Sequence, residues 1–410
     1  LVEVDELLAL CSLLAAATVG GRLATRLKLP ALVGMLFAGL ALRNVPGNLL
    51  GALPDSWSVA LRLLALSIIL LRAGLGLDLD ALRRLHLTFL RLAFLPNLAE
   101  AATVAIVAGV LLDMPATWAL LLGFVVAAVS PAVVVPSLLE LQGRGYGVSK
   151  GIPTMVLAAA SFDDVLSITG FGLTVSLIFG AQGDGGVTTS LLRAPLELTL
   201  GLGVGVLAGV IVSARALGHV RNRGVVLIVL GVGSVAGGWM LGLTGGGSLA
   251  AMTMGAVAGR SLRSSAAPIA IALSRVWTFA QIALFGLIGA AVSLDFVEPS
   301  YIVSGLVILV AGLIIRLAVS YLSVGGGTFS KQERFFVAVA WIPKATVQAA
   351  VGALALDLAR QEEMGQAAIT YGTQVVTIAV LAIIVTAPIG AIAIARTGPR
   401  WLQQSDSSVS

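Results

Sequence analysis

The chain has 410 residues, 58% of them hydrophobic and only 11% charged, with a mean hydropathy of +1.03 and a formal net charge of +5. An ordinary soluble domain is about a quarter charged, so this composition excludes a soluble globular protein and identifies an all-α polytopic membrane protein. The basic excess does not signal nucleic acid, because its distribution along the chain has a topological origin.

Thirteen apolar segments follow one another, at residues 6–27, 30–43, 57–76, 84–112, 116–140, 149–180, 189–214, 222–241, 247–262, 266–292, 299–323, 332–357 and 365–395. A bilayer core of roughly 30 Å needs about 20 apolar residues per helical crossing. Lipid offers backbone groups no water partner, so each segment is read as a helix; strands of a membrane barrel would be shorter and would alternate. Cys11, the lone cysteine, lies in the first segment, excludes an internal disulfide and is read as a packing residue. In the seventh, GLGVGVLAGV (201–210) places small residues four apart, a pattern of close helix packing. The eighth and ninth are separated by a Gly-rich turn near GLTGGG, and the polar tail WLQQSDSSVS is expected to be flexible.

Charge fixes the orientation. With the N-terminus outside, inside connections hold Arg22, Arg26, Lys28, Arg83, Arg84, Arg144, Lys150, Arg215, Arg221, Arg223, Arg260, Arg263, Lys331, Arg334, Arg396 and Arg400, whereas outside connections hold only Arg43, Arg193 and Arg360. The outside instead carries Asp113, Asp295, Glu298, Asp357, Glu362 and Glu363. The positive-inside rule therefore places the N-terminus outside and the C-terminus in the cytoplasm. Six basic residues remain within segments: Arg62, Arg72, Arg91, Arg275, Arg316 and Lys344, of which Arg316 and Lys344 fall near mid-segment. His86 and His219, in inside connections, are read as solvated loop histidines.

The fifth segment contains SPAVVVP (130–136), with Pro131 and Pro136, and the twelfth contains WIPKAT (341–346), with Pro343. Interior proline removes a helix hydrogen bond and clashes with the preceding turn, so both are expected to be broken helices. They lie seven segments apart, an odd number, so the second copy is upside down. Six helices, one linker and six helices make an inverted 6+1+6 repeat, and matching interrupted helices point to a transporter's binding site.

Asp163 and Asp164 sit mid-segment in AAASFDDVLSITGFG, directly after the first break. A carboxylate at that depth costs at least about 2.5 kcal/mol, and two neighbours repel, so a proton and Na⁺ or Li⁺ become rivals for one charge. Adjacent helical positions point about 100° apart, which leaves room for separate tasks. Glu100 and Arg316 occupy equivalent segments of the two halves and are expected to form a buried ion pair. Lys344, in the second break, is expected to offset the partial charges of the half-helix ends. Ser130, at the first break, offers an oxygen ligand; Gln348, Thr373 and Gln374 line the route or bridge helices. An intramembrane aspartyl protease is excluded, because its acids would stand on separate helices and GLGLD (74–78) lacks the GxGD spacing.

SPAVVVPSLLELQGRGYGVSKGIPT, SFDDVLSITGF, RAGLGLD and WIPKATVQAA together resemble the cation:proton antiporter superfamily, and most closely the NHA branch of sodium/proton exchangers, over almost the whole chain. The resemblance implies a plasma-membrane homodimer that is no enzyme, needs no cofactor and exchanges Na⁺ or Li⁺ for H⁺ by an elevator movement. It implies a scaffold at 1–83 and 222–298, a transport core with two crossing broken helices at 84–180 and 299–396, a linker helix at 181–221 and a cytoplasmic tail at 397–410. It places the family's ion-binding aspartates on Asp163 and Asp164, its acid–arginine pair on Glu100 and Arg316, and its crossover lysine on Lys344. Animal members carry an additional N-terminal helix that this chain does not show. Electrogenic bacterial relatives have lysine where Arg316 stands; arginine barely releases its proton, which favours electroneutral exchange. Potassium/proton exchange at the same site and a non-transporting membrane sensor are the alternative readings.

Overall fold

The computed structural model describes residues 4–45, 50–179, 187–214, 220–241, 243–262, 266–292, 294–326, 328–352, 354–361 and 365–405. Of the residues assigned above, Arg215, His219, Arg263, Glu362, Glu363 and 406–410 lie outside the described residues, as do the side chains of Arg193, Arg221 and Asp357. In chain order the helices are α1 Val4–Arg26, α2 Ala31–Asn44, α3 Asp55–Leu75, α4 Leu79–Arg84, α5 His86–Leu111, α6 Ala116–Ala127, α7 Pro131–Gly143, α8 Ile152–Phe179 and α9 Val187–Ser213. There follow α10 Val220–Met240, α11 Thr244–Leu262, α12 Ala266–Ala290, α13 Ile302–Ser323, α14 Lys331–Ala340, α15 Thr346–Val351, α16 Leu354–Gln361 and α17 Gln366–Trp401.

Each of the thirteen predicted segments is met in order by a helix or an interrupted helix. Among the described residues ten are long and apolar enough to cross a membrane, with α6 and α7 taken together; α2 is shorter, and α11 is not among the ten. The second interrupted segment falls outside the ten because it is cut into α14, α15 and α16, of 10, 6 and 8 residues.

The chain forms two compact units, residues 1–79 with 198–294 and residues 80–197 with 295–410, and the division falls inside α9. In the first unit helices meet backbone to backbone. A Cβ added at Gly205 of α9 would stand 2.6 Å from the Ala250 carbonyl and from Thr253 Cβ of α11, and one at Gly209 2.6 Å from Val257 Cβ. Between apolar helices in lipid, such van der Waals contact replaces the hydrophobic drive available in water. The glycines near 245 do not form a turn as expected: the helix has begun by Thr244, and a Cβ at Gly238 of α10 would lie 2.8 Å from Gly247 Cα of α11. Cys11, expected in packing, lies instead on the exposed face of α1. We expect Gly205→Leu to lower the stability of the purified protein by about 1–3 kcal/mol through overpacking. Gly203→Leu is the control, since nothing lies within 4 Å of a Cβ there; equal melting temperatures for the two variants would reject this packing.

The second unit is built around α5, which packs on α6, α8 and α13. Trp118, Phe124, Ile308, Val375 and Ile378 belong to its apolar core. On α13 one face exposes Val303, Val307, Val310 and Ile314, while the other buries Gly305, Gly312, Arg316 and Ser320. Oil outside and polar groups inside is the pattern of a lipid-facing helix guarding a charge.

The unit's two interruptions are local consequences of sequence. α6 stops at Ala127, residues 128–130 are extended, and Pro131 opens α7 at its first position, where its missing N–H is no loss. Pro136 is accommodated within α7, so the break lies before Pro131 rather than between the prolines. Residues 341–345 separate α14 from α15, around Pro343. The two breaks meet directly: the Ser130 N–H donates to the Pro343 carbonyl at 2.8 Å.

The tail is not free over its first part. Gly147 N–H donates to the Gln403 carbonyl (2.8 Å) and Ser405 N–H to the Gly145 carbonyl (3.0 Å), making an antiparallel bridge with the loop between α7 and α8. Gly145 and Gly147, at φ 80° and 69°, take the left-handed backbone that shapes this loop. Lys150, at the loop's far end, reaches Glu333 at 2.8 Å, and Glu333 closes a capping box with Ser330 at the start of α14. Polar composition suggested flexibility; backbone pairing, which composition does not report, holds residues 403–405.

Candidate functional site

All six residues singled out from the sequence stand in the second unit. Glu100 comes from α5, Ser130 from the first break, Asp163 and Asp164 from α8, Arg316 from α13 and Lys344 from the second break. Glycines set the approach. A Cβ at Gly312, one turn before Arg316, would lie 2.8 Å from Val104 and 3.3 Å from Glu100 Cγ of α5.

Arg316, fully buried, is the hub. Its Nη1 donates to Glu100 Oε2 at 2.6 Å and to the Ala127 carbonyl at the end of α6; its Nη2 donates to Asp163 Oδ1 at 2.8 Å. The expected Glu100–Arg316 pair is thus one edge of a larger network. Lys344 Nζ donates to Glu100 Oε2 at 2.9 Å, so its ammonium engages a carboxylate rather than a carbonyl end. Two anions and two cations, all buried, are linked in a row by three ion pairs, Lys344 to Glu100 to Arg316 to Asp163, and balance in formal charge. A buried ion survives only with such partners.

The half-helix ends find complementary groups. The Ala127 carbonyl accepts from Arg316, and the Val125 and Ala128 carbonyls accept from Gln348 Nε2 at 2.7 and 3.0 Å. Across the break the Val129 N–H donates to Asp163 Oδ2 at 2.9 Å. Partial charges on both sides of the first break thus meet groups of opposite character. Gln348, taken above as either lining or bridging, bridges. In the second break the Lys344 N–H donates to Thr386 Oγ1 at 3.0 Å.

Both oxygens of Asp163 are therefore committed, one to Arg316 and one to a backbone N–H. Asp164 differs. It is half-buried, it makes no ion pair among the described residues, and its buried Oδ1 has no hydrogen-bond partner there. Of the five charged groups it alone is unbalanced. Ser130, fully buried, faces Thr346 across the crossing, their hydroxyl oxygens 3.4 Å apart. Thr373 bonds back to the Ile369 carbonyl in its own helix, and Gln374 is buried; neither joins the network.

Sequence reasoning missed Asn97 and Thr386. Asn97 is fully buried and donates to Ser167 Oγ (2.6 Å) and the Asp163 carbonyl (3.3 Å). The signal was present: an amide three residues before Glu100 shares its helix face. Thr386 offered none, since a threonine in an apolar helix usually bonds back to its own carbonyl, as this one also does to Ala382.

Two interrupted helices crossing beside a buried charge cluster define a secondary transporter of the broken-helix kind. The family model described as "Sodium/hydrogen exchanger, transmembrane" matches residues 13–397. Sodium/hydrogen exchanger 9B2 of Xenopus tropicalis is 42% identical over 418 residues, covering 98% of this chain and 76% of that protein. Human sodium/hydrogen exchanger 9B1 is 39% identical over 397 residues, covering 94% and 76%. The solved structure of the sodium proton antiporter MjNhaP1 from Methanocaldococcus jannaschii at pH 8 superposes with a TM-score of 0.70, covering 97% of this chain and 99% of that one; at 19% identity the likeness is one of fold. The chain belongs to the sodium/hydrogen exchanger family, whose members are transporters and not enzymes.

Proposed function

We propose that this protein exchanges Na⁺ or Li⁺ for H⁺ across the plasma membrane, and that the two ions compete for Asp164. The observation that carries this reading is the uncommitted carboxylate of Asp164 beside a charge cluster that is otherwise balanced. One proton or one monovalent cation brings the whole site to formal neutrality. Asp163 is the structural member of the aspartate pair, holding the first break to Arg316, and Ser130 and Thr346 are oxygen donors at the crossing. Exchange is electroneutral, because Arg316 does not give up its proton and Lys344 is held by Glu100. The second unit, which contains every site residue, is the moving transport body of an elevator, and the first is the scaffold. The protein works as a homodimer with its N-terminus outside and its C-terminus in the cytoplasm, as the charge distribution and the family resemblance indicate.

The test is proton movement in proteoliposomes with membrane voltage clamped. Sodium or lithium added on one side drives protons out of the other at a rate that does not change with voltage. A voltage-dependent rate rejects electroneutrality; absence of any sodium-coupled or lithium-coupled proton movement rejects the exchange.

A further inference from the structure

We propose that Asn97 coordinates the transported cation, its side-chain carbonyl oxygen joining Asp164 as a ligand. The inference rests on the reading of Asp164 as the cargo site.

Asn97 is fully buried on α5, one helical turn before Glu100. Its Nδ2 makes two donations to a single turn of α8, to the Asp163 carbonyl at 3.3 Å and to Ser167 Oγ at 2.6 Å. An amide nitrogen has two hydrogens, and both are committed. That fixes which way the amide faces, because the flipped group would set its oxygen against the Asp163 carbonyl. Asn97 Oδ1 is buried with no hydrogen-bond partner among the described residues. A buried acceptor left open in a native fold marks a place for water or an ion.

The neighbourhood favours the ion. A dehydrated Na⁺ or Li⁺ wants several hard oxygens, and each carboxylate oxygen of Asp163 already accepts one hydrogen bond. In the middle of α8 the backbone carbonyls are taken up by the helix itself. Asp164 Oδ1 and Asn97 Oδ1 are both buried and both without a hydrogen-bond partner among the described residues. The amide is one hydrogen bond away from the peptide that precedes Asp164. A neutral oxygen here supplies coordination without a second charge, so the site still reaches neutrality with one cation.

Purified full-length protein in proteoliposomes tests this with Asn97→Ala, Asn97→Ser and Ser167→Ala, each assayed for Na⁺- and Li⁺-driven proton movement and for melting temperature. Asn97→Ala is expected to raise KM for sodium by about tenfold, the scale of one lost contact to a charged group, with Vmax within about twofold. Asn97→Ser, which keeps an oxygen, recovers part of the affinity. Ser167→Ala leaves the Asn97 oxygen in place and shifts KM by less than about threefold. A KM unchanged in Asn97→Ala, or a loss confined to Vmax or melting temperature, overturns the proposal and makes the amide a structural clamp. Asp164→Asn in the same series separates the two readings. If that variant still exchanges ions the cargo site itself is wrong; if it is dead and Asn97→Ala binds sodium normally, only the role of Asn97 falls.

Discussion

Asp164→Asn will abolish sodium-driven proton movement and leave the protein as stable as the parent or more so. The two halves of that result have one cause. On the proposed reading Asp164 carries the single unbalanced charge beside the crossing, so removing it takes away the group for which cation and proton compete. Loss of a charged partner at a poorly solvated site is worth about 3 kcal/mol or more, which is on the order of a hundredfold in affinity or greater. Stability does not suffer, because no hydrogen-bond donor reaches the buried Asp164 Oδ1 and no ion pair holds the carboxylate among the described residues, and an unpaired charge near the interior is a burden on the fold.

Asp163→Asn provides the contrast. Its carboxylate anchors Arg316 at 2.8 Å and the Val129 N–H at 2.9 Å. Neutralising it weakens a buried ion pair and unsettles the break before α7, so melting temperature and transport fall together. Proton flux and thermal melting on the two variants, side by side, decide the matter. Normal flux in Asp164→Asn, or equal destabilisation by the two substitutions, rules out the division of labour between neighbouring acids.

Adjacency is also where the sequence stopped being legible. A charge in an apolar helix is expensive enough to announce itself, which is why Glu100, Asp163, Asp164, Arg316 and Lys344 could be picked out one by one. Proline announces a break for the same kind of reason, and both breaks stand within a few residues of where Pro131 and Pro343 put them. Pairing is another matter. Nothing in the order of residues says that Asp163 turns to Arg316 while Asp164 turns away, because a helical step of about 100° has meaning only once α13 and the α6 end are in place. Lys344 was expected at a carbonyl end and is found on Glu100, while Gln348 and Arg316 serve the α6 carbonyls. Charge was readable, but which donor fits which gap depends on the crossing geometry. The docked tail residues 403–405 and the glycines inside α11 misled for a related reason. Both make backbone contacts, and composition describes side chains.

Neutralising Arg316 should be the most destabilising single substitution in the transport site. Three acceptors depend on that one guanidinium: Glu100, Asp163 and the Ala127 carbonyl. Without it the two acids share only Lys344, which touches Glu100 alone, and the end of α6 loses a donor. Breaking a buried ion pair by removing one member typically costs about 3–5 kcal/mol, and Arg316→Leu breaks two. Lys331→Gln, an exposed substitution at the start of α14, should fall within about 0.5 kcal/mol of the parent. Glu100→Gln combined with Lys344→Gln removes one charge of each sign, so the double variant should lose less stability than the sum of its singles. Thermal unfolding of the purified variants in one detergent measures all of these. If Arg316→Leu melts with Lys331→Gln, or the Glu100 and Lys344 effects simply add, the network is not what holds the two breaks together. Apolar packing of α5 on α13 would then be the main source of order at the crossing.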